Sequence, residues 1–566
     1  MKLTGAEIVW ECLAREGADL VFGYPGGAIL PTYDAHVKYP QVHHVLTRHE
    51  QGAAHMADGY ARASGKVGVA IATSGPGATN LVTGIATAMM DSSPVVFITG
   101  QVPQPLMGTD GFQETDIIGI TLPITKHSVL VRNAAELGPA IHEAFHIARS
   151  GRPGPVLVDI PKDVQLETAE LGSQPVYADA PTTIPSEEIE RAHELLRASE
   201  RPVILAGHGV LISRAHNELV AFAETLHVPV TQTLLGKGGF PQAHALSLGM
   251  MGMHGEAAAN NAIQEADLLV ALGMRFDDRV TGKLADYSPH SKKIHVDIDA
   301  AEINKLIHVE VGTVADVGDW IRAMAEGLEP ADHQRWIEKI RTWQGEDSDR
   351  DILTHPPDPD SFLAAHAIHE LWRSTGGDVI SVTDVGQHQM WEAQYYPHNR
   401  PGTLITSGGM GTMGFALPAA IGAKLAHPEE EVWVIVGDGG FQMTMPELAT
   451  AVQEGVEVKI AIINNGYLGM VRQWQELFHE QRYNATPMFH PDFRRLAGAF
   501  GIPACRVTER SEVDVAVRRA QEHRGSPFLI EFVVQQHDVV YPMVAAGAAL
   551  NSMIRRERKS VQKVES

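Results

Sequence analysis

Two apolar runs limit what this chain can fold into. Residues 432–436 (Val-Trp-Val-Ile-Val) and 458–463 (Val-Lys-Ile-Ala-Ile-Ile) are unbroken and rich in β-branched residues, with a helix-like stretch over 446–452 between them. Strands buried on both faces read this way, and a strand, helix, strand unit joins them in parallel. The first run delivers Gly437-Asp438-Gly439 and the second Asn464-Asn465. Carboxyl ends of neighbouring parallel strands lie side by side, so Asp438 and Asn465 can converge on one hard cation through oxygen ligands alone. One carboxylate and one amide leave coordination positions free, which Mg²⁺ fills with water and phosphate oxygens, while the glycines beside Asp438 admit a diphosphate to the backbone.

The same alternation recurs at 95–99, 156–160, 203–206 and 529–533, which implies an α/β protein of doubly wound parallel sheets. A length of 566 residues suits about three to four domains. Residues 165–186 and 345–361 are rich in Pro and acid, lack apolar periodicity and read as linkers. They divide the chain into segments 1–165, 186–345 and 361–545, with a tail over 546–566 whose basic Arg555-Arg556-Glu557-Arg558-Lys559 is taken as a frayed helix end. A net charge of −24 argues against nucleic acid or an anionic membrane as partner, and the absence of any run of 18 apolar residues predicts no membrane span. Two cysteines, Cys12 and Cys505, suit a reducing compartment. An amphipathic helix over 5–16, with no signal or transit pattern before it, places the chain in a bacterial or archaeal cytoplasm.

Gly437-Asp438-Gly439 followed by Asn464-Asn465 after residues 440–463 resembles the signature of thiamine diphosphate enzymes. The resemblance makes Asp438 and Asn465 ligands of Mg²⁺, with the Tyr467 carbonyl as a third. Such a cofactor makes a second demand. Its own aminopyrimidine must remove the thiazolium C2 proton, and a carboxyl group bonded to that ring favours the tautomer that does so. Glu50, in Arg48-His49-Glu50-Gln51, opens a small-residue helix after the apolar 42–46 region and fits the family pattern together with Ala57-Asp58-Gly59-Tyr60-Ala61-Arg62. Loops at 24–27 and 74–80 follow apolar strands, and the second offers Pro76 and Asn80 as cofactor contacts.

The likeness narrows further. Gly408-Gly409-Met410-Gly411-Thr412-Met413-Gly414 is similar to the segment that bends thiamine diphosphate into a V, with Met413 wedged beneath the rings and the Gly411 carbonyl accepting from the 4'-amino group. Arg275-Phe276-Asp277-Asp278-Arg279, after a strand over 268–272, resembles the FAD motif of biosynthetic acetohydroxyacid synthases, also called acetolactate synthases. By that resemblance Arg152, His254, Arg275, Asp297 and Asp316 surround a flavin. Gly469-Met470-Val471-Arg472-Gln473-Trp474-Gln475 resembles the acceptor pocket, in which Trp474 and Met470 shape the site for the second 2-ketoacid. Arg275 is the carboxylate clamp expected there, since a guanidinium binds a carboxylate through two parallel hydrogen bonds. Phe112, Gln113 and Lys162 fall in segments similar to those lining the channel over the thiazolium.

The resemblance implies a transferase that decarboxylates pyruvate on thiamine diphosphate and ligates the two-carbon unit to pyruvate or 2-ketobutyrate, opening branched-chain amino-acid synthesis. It also implies that Glu50 and Asp438 serve one cofactor from different protomers of a homodimer or tetramer, with a separate small regulatory subunit. An FAD-dependent pyruvate oxidase is the alternative, and a noncatalytic cofactor-binding protein a more remote one. One competing motif, His142-Glu143-Ala144-Phe145-His146, matches a zinc-protease pattern but lacks its extension and is read as an amphipathic helix face.

Overall fold

The computed structural model describes residues 1–173, 175–177 and 183–557. Their strands build three sheets of six, each parallel throughout, together with two small antiparallel pairs. Counting strands along the chain within each sheet, the first and third share the spatial order 2-1-3-4-6-5, whereas the central sheet runs 3-2-1-4-5-6. Ligands of such sheets bind beyond the carboxyl ends of the strands, where the order reverses. In the first sheet that point lies between Leu20–Gly23 and Gly68–Ala72. In the third it lies between Ile380–Thr383 and Val432–Gly437, and in the central sheet between Pro202–Ala206 and Leu268–Leu272.

The strands that looked unbroken in sequence are sealed on both faces. Gly68–Ala72, Val95–Gln101, Val432–Gly437 and Val458–Asn464 are buried at every position. Helices cover both sides, so no polar alternation is required. One apolar core joins the first and third sheets through a pair of helices, Glu50–Ser64 and Ala416–Ala426. Their small residues bring backbone against backbone. A β-carbon on Gly59 would stand 2.6 Å from the Ala419 carbonyl carbon, and one on Gly422 would stand 2.8 Å from that of Met56. Gly422→Ala is therefore expected to destabilise by the upper end of the about 1–3 kcal/mol typical of overpacking, or more. A urea midpoint unchanged from the native protein would contradict this packing.

Three expectations are corrected. The helix between the two diagnostic strands begins directly at Asp438 (Asp438–Thr444), and a turn over Met445–Glu447 leads into Leu448–Gln453. Gly439 and Gly440 have weak helix propensity, but packing of the fully buried Phe441 prevails. The acid-rich stretch after 345 is partly ordered, because the Gln334–Ser348 helix runs into it. In its described residues the basic tail is no frayed helix: Met553–Ile554 pairs with Met543–Val544, Arg555 reaches Asp347 at 3.1 Å and Arg556 reaches Asp538 at 3.1 Å. Arg558 and Lys559 lie outside the described residues, as does part of the 165–186 stretch. Among the described residues no helix is long and apolar enough to cross a membrane.

Candidate active site

The Val432–Gly437 and Val458–Asn464 strands are neighbours in register, Gly437 opposite Ile463, so Asp438 and Asn465 emerge side by side. The Asp438 carboxylate accepts a hydrogen bond from the Asn465 backbone amide. It is 1% exposed, and its Oδ2 has no hydrogen-bond partner among the described residues. Burial is the main cause that pushes its carboxyl up to about 6, with the nearby His490 opposing. Asn465 uses Oδ1 to accept from the Tyr467 amide (3.1 Å) and Nδ2 to donate to Gln387 Oε1 (3.3 Å). No cluster of three His, Cys, Asp or Glu side chains able to hold a metal occurs among the described residues. A cation here would draw on one carboxylate, one amide and a backbone carbonyl, a set suited to a hard ion that keeps positions for phosphate. The orphaned Oδ2 fits that use.

Sequence reasoning missed three side chains on this floor. Asp384-Val385-Gly386-Gln387-His388 follows Ile380–Thr383, next to Asp438 across the switch point. Burial holds the His388 ring down to about 4, so it is neutral at pH 7 and its Nε2 accepts from the Gly437 amide at 3.3 Å. Gln387 bridges Asn465 to Gln473 and to the Asp538 carbonyl. Asp384 accepts from the amides of Gly414 and Ala416, each at 3.0 Å, fixing one end of the 408–414 loop. On that loop Gly411 is exposed with φ +65, and the Met413 methyl would lie 3.7 Å from a β-carbon on Gly439. The signal that could have found these residues was the polar, Gly-containing run closing a buried strand.

Glu50 opens its helix and is 8% exposed. Its Oε2 accepts from Asn80 Nδ2 at 2.9 Å, and Oε1 faces Gly77, where a β-carbon would stand 3.2 Å away. Pro76 is exposed at the start of the short Pro76–Asn80 helix. Gln113 sits at φ +59 with its backbone over Gly75, where a β-carbon would meet its Cα at 2.9 Å, so the 111–116 loop folds against the Glu50 group. Phe112 beside it is 89% exposed. Lys162 opens the helix that follows Val156–Pro161 and is half-buried. Among the described residues, no hydrogen bond links the Glu50 group to Asp438.

Trp474 and Met470 ride the Gly469–Phe478 helix, both half-buried, with Trp474 against Phe478 at 5.2 Å. A strap over 483–488 folds back across the helix start. Thr486 donates to Gln475 Oε1 at 2.9 Å, and the Arg472 guanidinium lies 5.4 Å from the Tyr467 ring and 4.8 Å from that of Tyr483.

Arg275 and Asp316 come just after the fourth and sixth strands of the central sheet, Asp297 ends the fifth, and His254 follows the third. Arg275 pairs with Asp277 at 3.6 Å. Asp297 is 7% exposed and burial pushes it up to about 6. Asp316 caps the Val317–Ala325 helix, accepting from Ser213 Oγ at 2.6 Å. The His254 ring, held down to about 4 by burial, bonds the Pro542 carbonyl and leaves Nδ1 without a partner among the described residues. Arg152 crosses from the first unit to Asp299 (3.3 Å) and Glu302 (3.2 Å). The His142 and His146 pair forms no metal site: His142 bonds Glu16 at 2.7 Å and His146 stacks on Tyr177 at 4.7 Å.

Residues 3–120 match the thiamine pyrophosphate enzyme N-terminal TPP binding domain, 189–324 its central domain and 384–532 its C-terminal TPP binding domain. The acetolactate synthase large subunit of Corynebacterium glutamicum is 48% identical over 565 residues, covering 97% of this chain and 89% of that protein. The acetolactate synthase of Mycobacterium leprae is 48% identical over 561 residues, covering 97% and 90%. The acetolactate synthase isozyme 2 large subunit of Escherichia coli is 46% identical over 558 residues, covering 98% and 100%. With three thiamine diphosphate domains in order and this likeness from end to end, the chain belongs to the acetolactate synthase large-subunit family.

Proposed function

We propose that this chain is the catalytic subunit of an acetolactate synthase, joining the two-carbon unit of pyruvate to a second pyruvate or to 2-ketobutyrate. The observation that carries this reading is the near full-length identity to proteins named acetolactate synthase. The oxidase alternative is not favoured by those relatives. Thiamine diphosphate, when bound, supplies the electron sink that lets pyruvate lose CO₂ and its remainder attack the second ketone.

The chain's own residues divide that work. Asp438, Asn465 and the Tyr467 carbonyl would hold Mg²⁺ against the diphosphate, the unpartnered Asp438 Oδ2 supporting this assignment. Glu50 would bond the aminopyrimidine ring and hold its proton, its Oε1 standing beside the bare Gly77 backbone while Oε2 is held by Asn80. The Gly411 carbonyl and Met413 would fix the bend between the rings. Pro76, Asn80, Gln113, Phe112 and Lys162 would border the pyruvate side, while Met470, Trp474 and Arg275 would seat the acceptor. The dinucleotide-fold strand order of the central sheet and the orphaned His254 Nδ1 support FAD between Arg152, His254, Arg275, Asp297 and Asp316. Its place would be structural, since the net reaction moves no electrons to it.

The units 1–165, 186–345 and 361–545 would then be the pyrimidine, flavin and diphosphate domains. A homodimer or tetramer would complete each site by setting Glu50 of one protomer against Asp438 of another, consistent with the exposed Phe112, Leu122, Met443 and Phe489. A small regulatory subunit would join them, and the cytoplasm would house the assembly. Incubation with pyruvate, thiamine diphosphate, Mg²⁺ and FAD is expected to yield acetolactate with no net flavin reduction. Flavin reduction accompanied by acetate or acetyl phosphate, without acetolactate, would move the chain to the oxidase class.

A further inference from the structure

Asp91 closes the Val82–Asp91 helix and is 1% exposed. Its carboxylate collects three donors from two distant parts of the chain: Arg62 Nη2 at 2.9 Å, the Gly408 amide at 3.1 Å and the Gly409 amide at 2.6 Å. Arg62 lies near the end of the helix that Glu50 begins, and it also holds Asp58 at 2.6 Å and the Thr406 carbonyl at 2.6 Å. Asp91 thus ties the helix bearing Glu50 to the first residues of the 408–414 loop. Charge-assisted hydrogen bonds of this kind are about twice as strong as neutral ones, and burial shields them from water.

Sterics reinforce the grip. A β-carbon on Gly409 would stand 2.9 Å from Met90 Cβ and 3.0 Å from Asp91 Oδ1, and one on Gly408 would stand 2.7 Å from Leu235 Cγ in the central unit. Thr87 and Thr412 share a hydrogen bond of 2.7 Å. Asp384 holds the far end of the same loop, so Gly411 and Met413 are carried on a segment fixed at both ends by buried carboxylates. Next to Asp91, Ser92 accepts from Arg152 Nε at 2.9 Å. Asp91 itself is not among the residues assigned above to the cofactors or the substrates.

We propose that Asp91 is a positioning residue, which fixes the start of the loop that carries the Gly411 carbonyl and Met413 and so fixes the bent shape of thiamine diphosphate. This rests on the cofactor placement proposed above. Misplacement of about 1 Å far from the chemistry can cost on the order of a hundredfold in rate, and the loop can move by that much only if it leaves Asp91.

Two variants test it in the full-length protein with its cofactors. Asp91→Asn keeps one acceptor but turns an N–H toward the second amide or Arg62. Gly409→Ala changes neither the Asp91 nor the Arg62 side chain and pushes the loop away from Met90 and Asp91. For each, thiamine diphosphate affinity is measured by equilibrium dialysis, and exchange of the thiazolium C2 proton in D₂O by acid quench and NMR, per bound cofactor. Exchange is expected to slow by at least about tenfold in both variants, while affinity, set by the diphosphate anchor, weakens less than about threefold. A role confined to stability would lower the melting temperature and leave exchange per bound cofactor unchanged; that result in Gly409→Ala overturns the inference. Native protein that neither binds thiamine diphosphate nor exchanges its C2 proton would instead overturn the cofactor placement itself.

Discussion

Glu50→Gln is expected to bind thiamine diphosphate almost as tightly as the native chain while losing about 10²–10⁴-fold in acetolactate formation, the range that a positioned acid or base contributes. The geometry makes this a clean substitution. Asn80 Nδ2 donates to one carboxyl oxygen at 2.9 Å, and a glutamine amide oxygen can keep that bond. The amide nitrogen then occupies the position facing Gly77, where it donates hydrogen bonds but cannot take up a proton. Volume and burial are unchanged, so the melting temperature should stay within a few degrees. C2 proton exchange measured beside product formation separates the outcomes. Retention of more than a tenth of native exchange would remove Glu50 from the proton path.

Asp438→Asn is the second large effect, and its two halves run in opposite directions. In the protein without cofactors, the substitution removes a buried charge whose Oδ2 has no partner, so the variant is expected to match or exceed the native melting temperature at neutral pH. With Mg²⁺ and thiamine diphosphate at about 100 times the native Kd, the native chain gains about 2.7 kcal/mol of stability by mass action, and the variant is expected to gain almost none. Thermal melts of both proteins with and without cofactors give all four values. A variant stabilised as much as the native chain would show that Asp438 does not hold the ion.

What the sequence disclosed was governed by local physics. Strands buried on both faces announce themselves, so 432–437 and 458–464 were legible to within a residue. Glu50 was singled out by the family pattern around Arg48-His49-Glu50-Gln51, since a carboxylate that opens a helix is ordinary by itself. Asp384, Gln387 and His388 stayed hidden, since Asp-Val-Gly-Gln-His reads as an ordinary turn until the adjacent strand brings Gly437 and Asn465 beside it. Asp91 was hidden more deeply. In Met89-Met90-Asp91-Ser92-Ser93-Pro94 it resembles a helix ending, and its amide partners lie more than 300 residues away. Arg555 and Arg556 were misjudged for the same reason: their acids belong to other segments. Side chains whose partners are remote in the chain leave no periodic trace.

The 408–414 loop and the 483–488 strap differ in how much room they leave for side chains, and this bears on how the protein could be diversified. The 408–414 loop is fastened through its main chain, by amides of Gly408, Gly409 and Gly414 to carboxylates of other segments. The 483–488 strap pairs through its main chain with the residues before the Trp474 helix, the Leu468 amide donating to the Thr486 carbonyl and the Met488 amide to the Gly466 carbonyl at 2.9 Å each, and it meets the helix itself through Thr486, Gln475, Tyr483 and Arg472. Main-chain pairing tolerates varied side chains, so randomised libraries across the strap should return folded proteins, with altered acceptor scope if Trp474 borders the acceptor as proposed. Libraries across the loop, where a β-carbon on Gly408 meets Leu235 at 2.7 Å and one on Gly409 meets Met90 at 2.9 Å, should be dominated by inactive clones, which under that proposal makes the strap the more evolvable of the two.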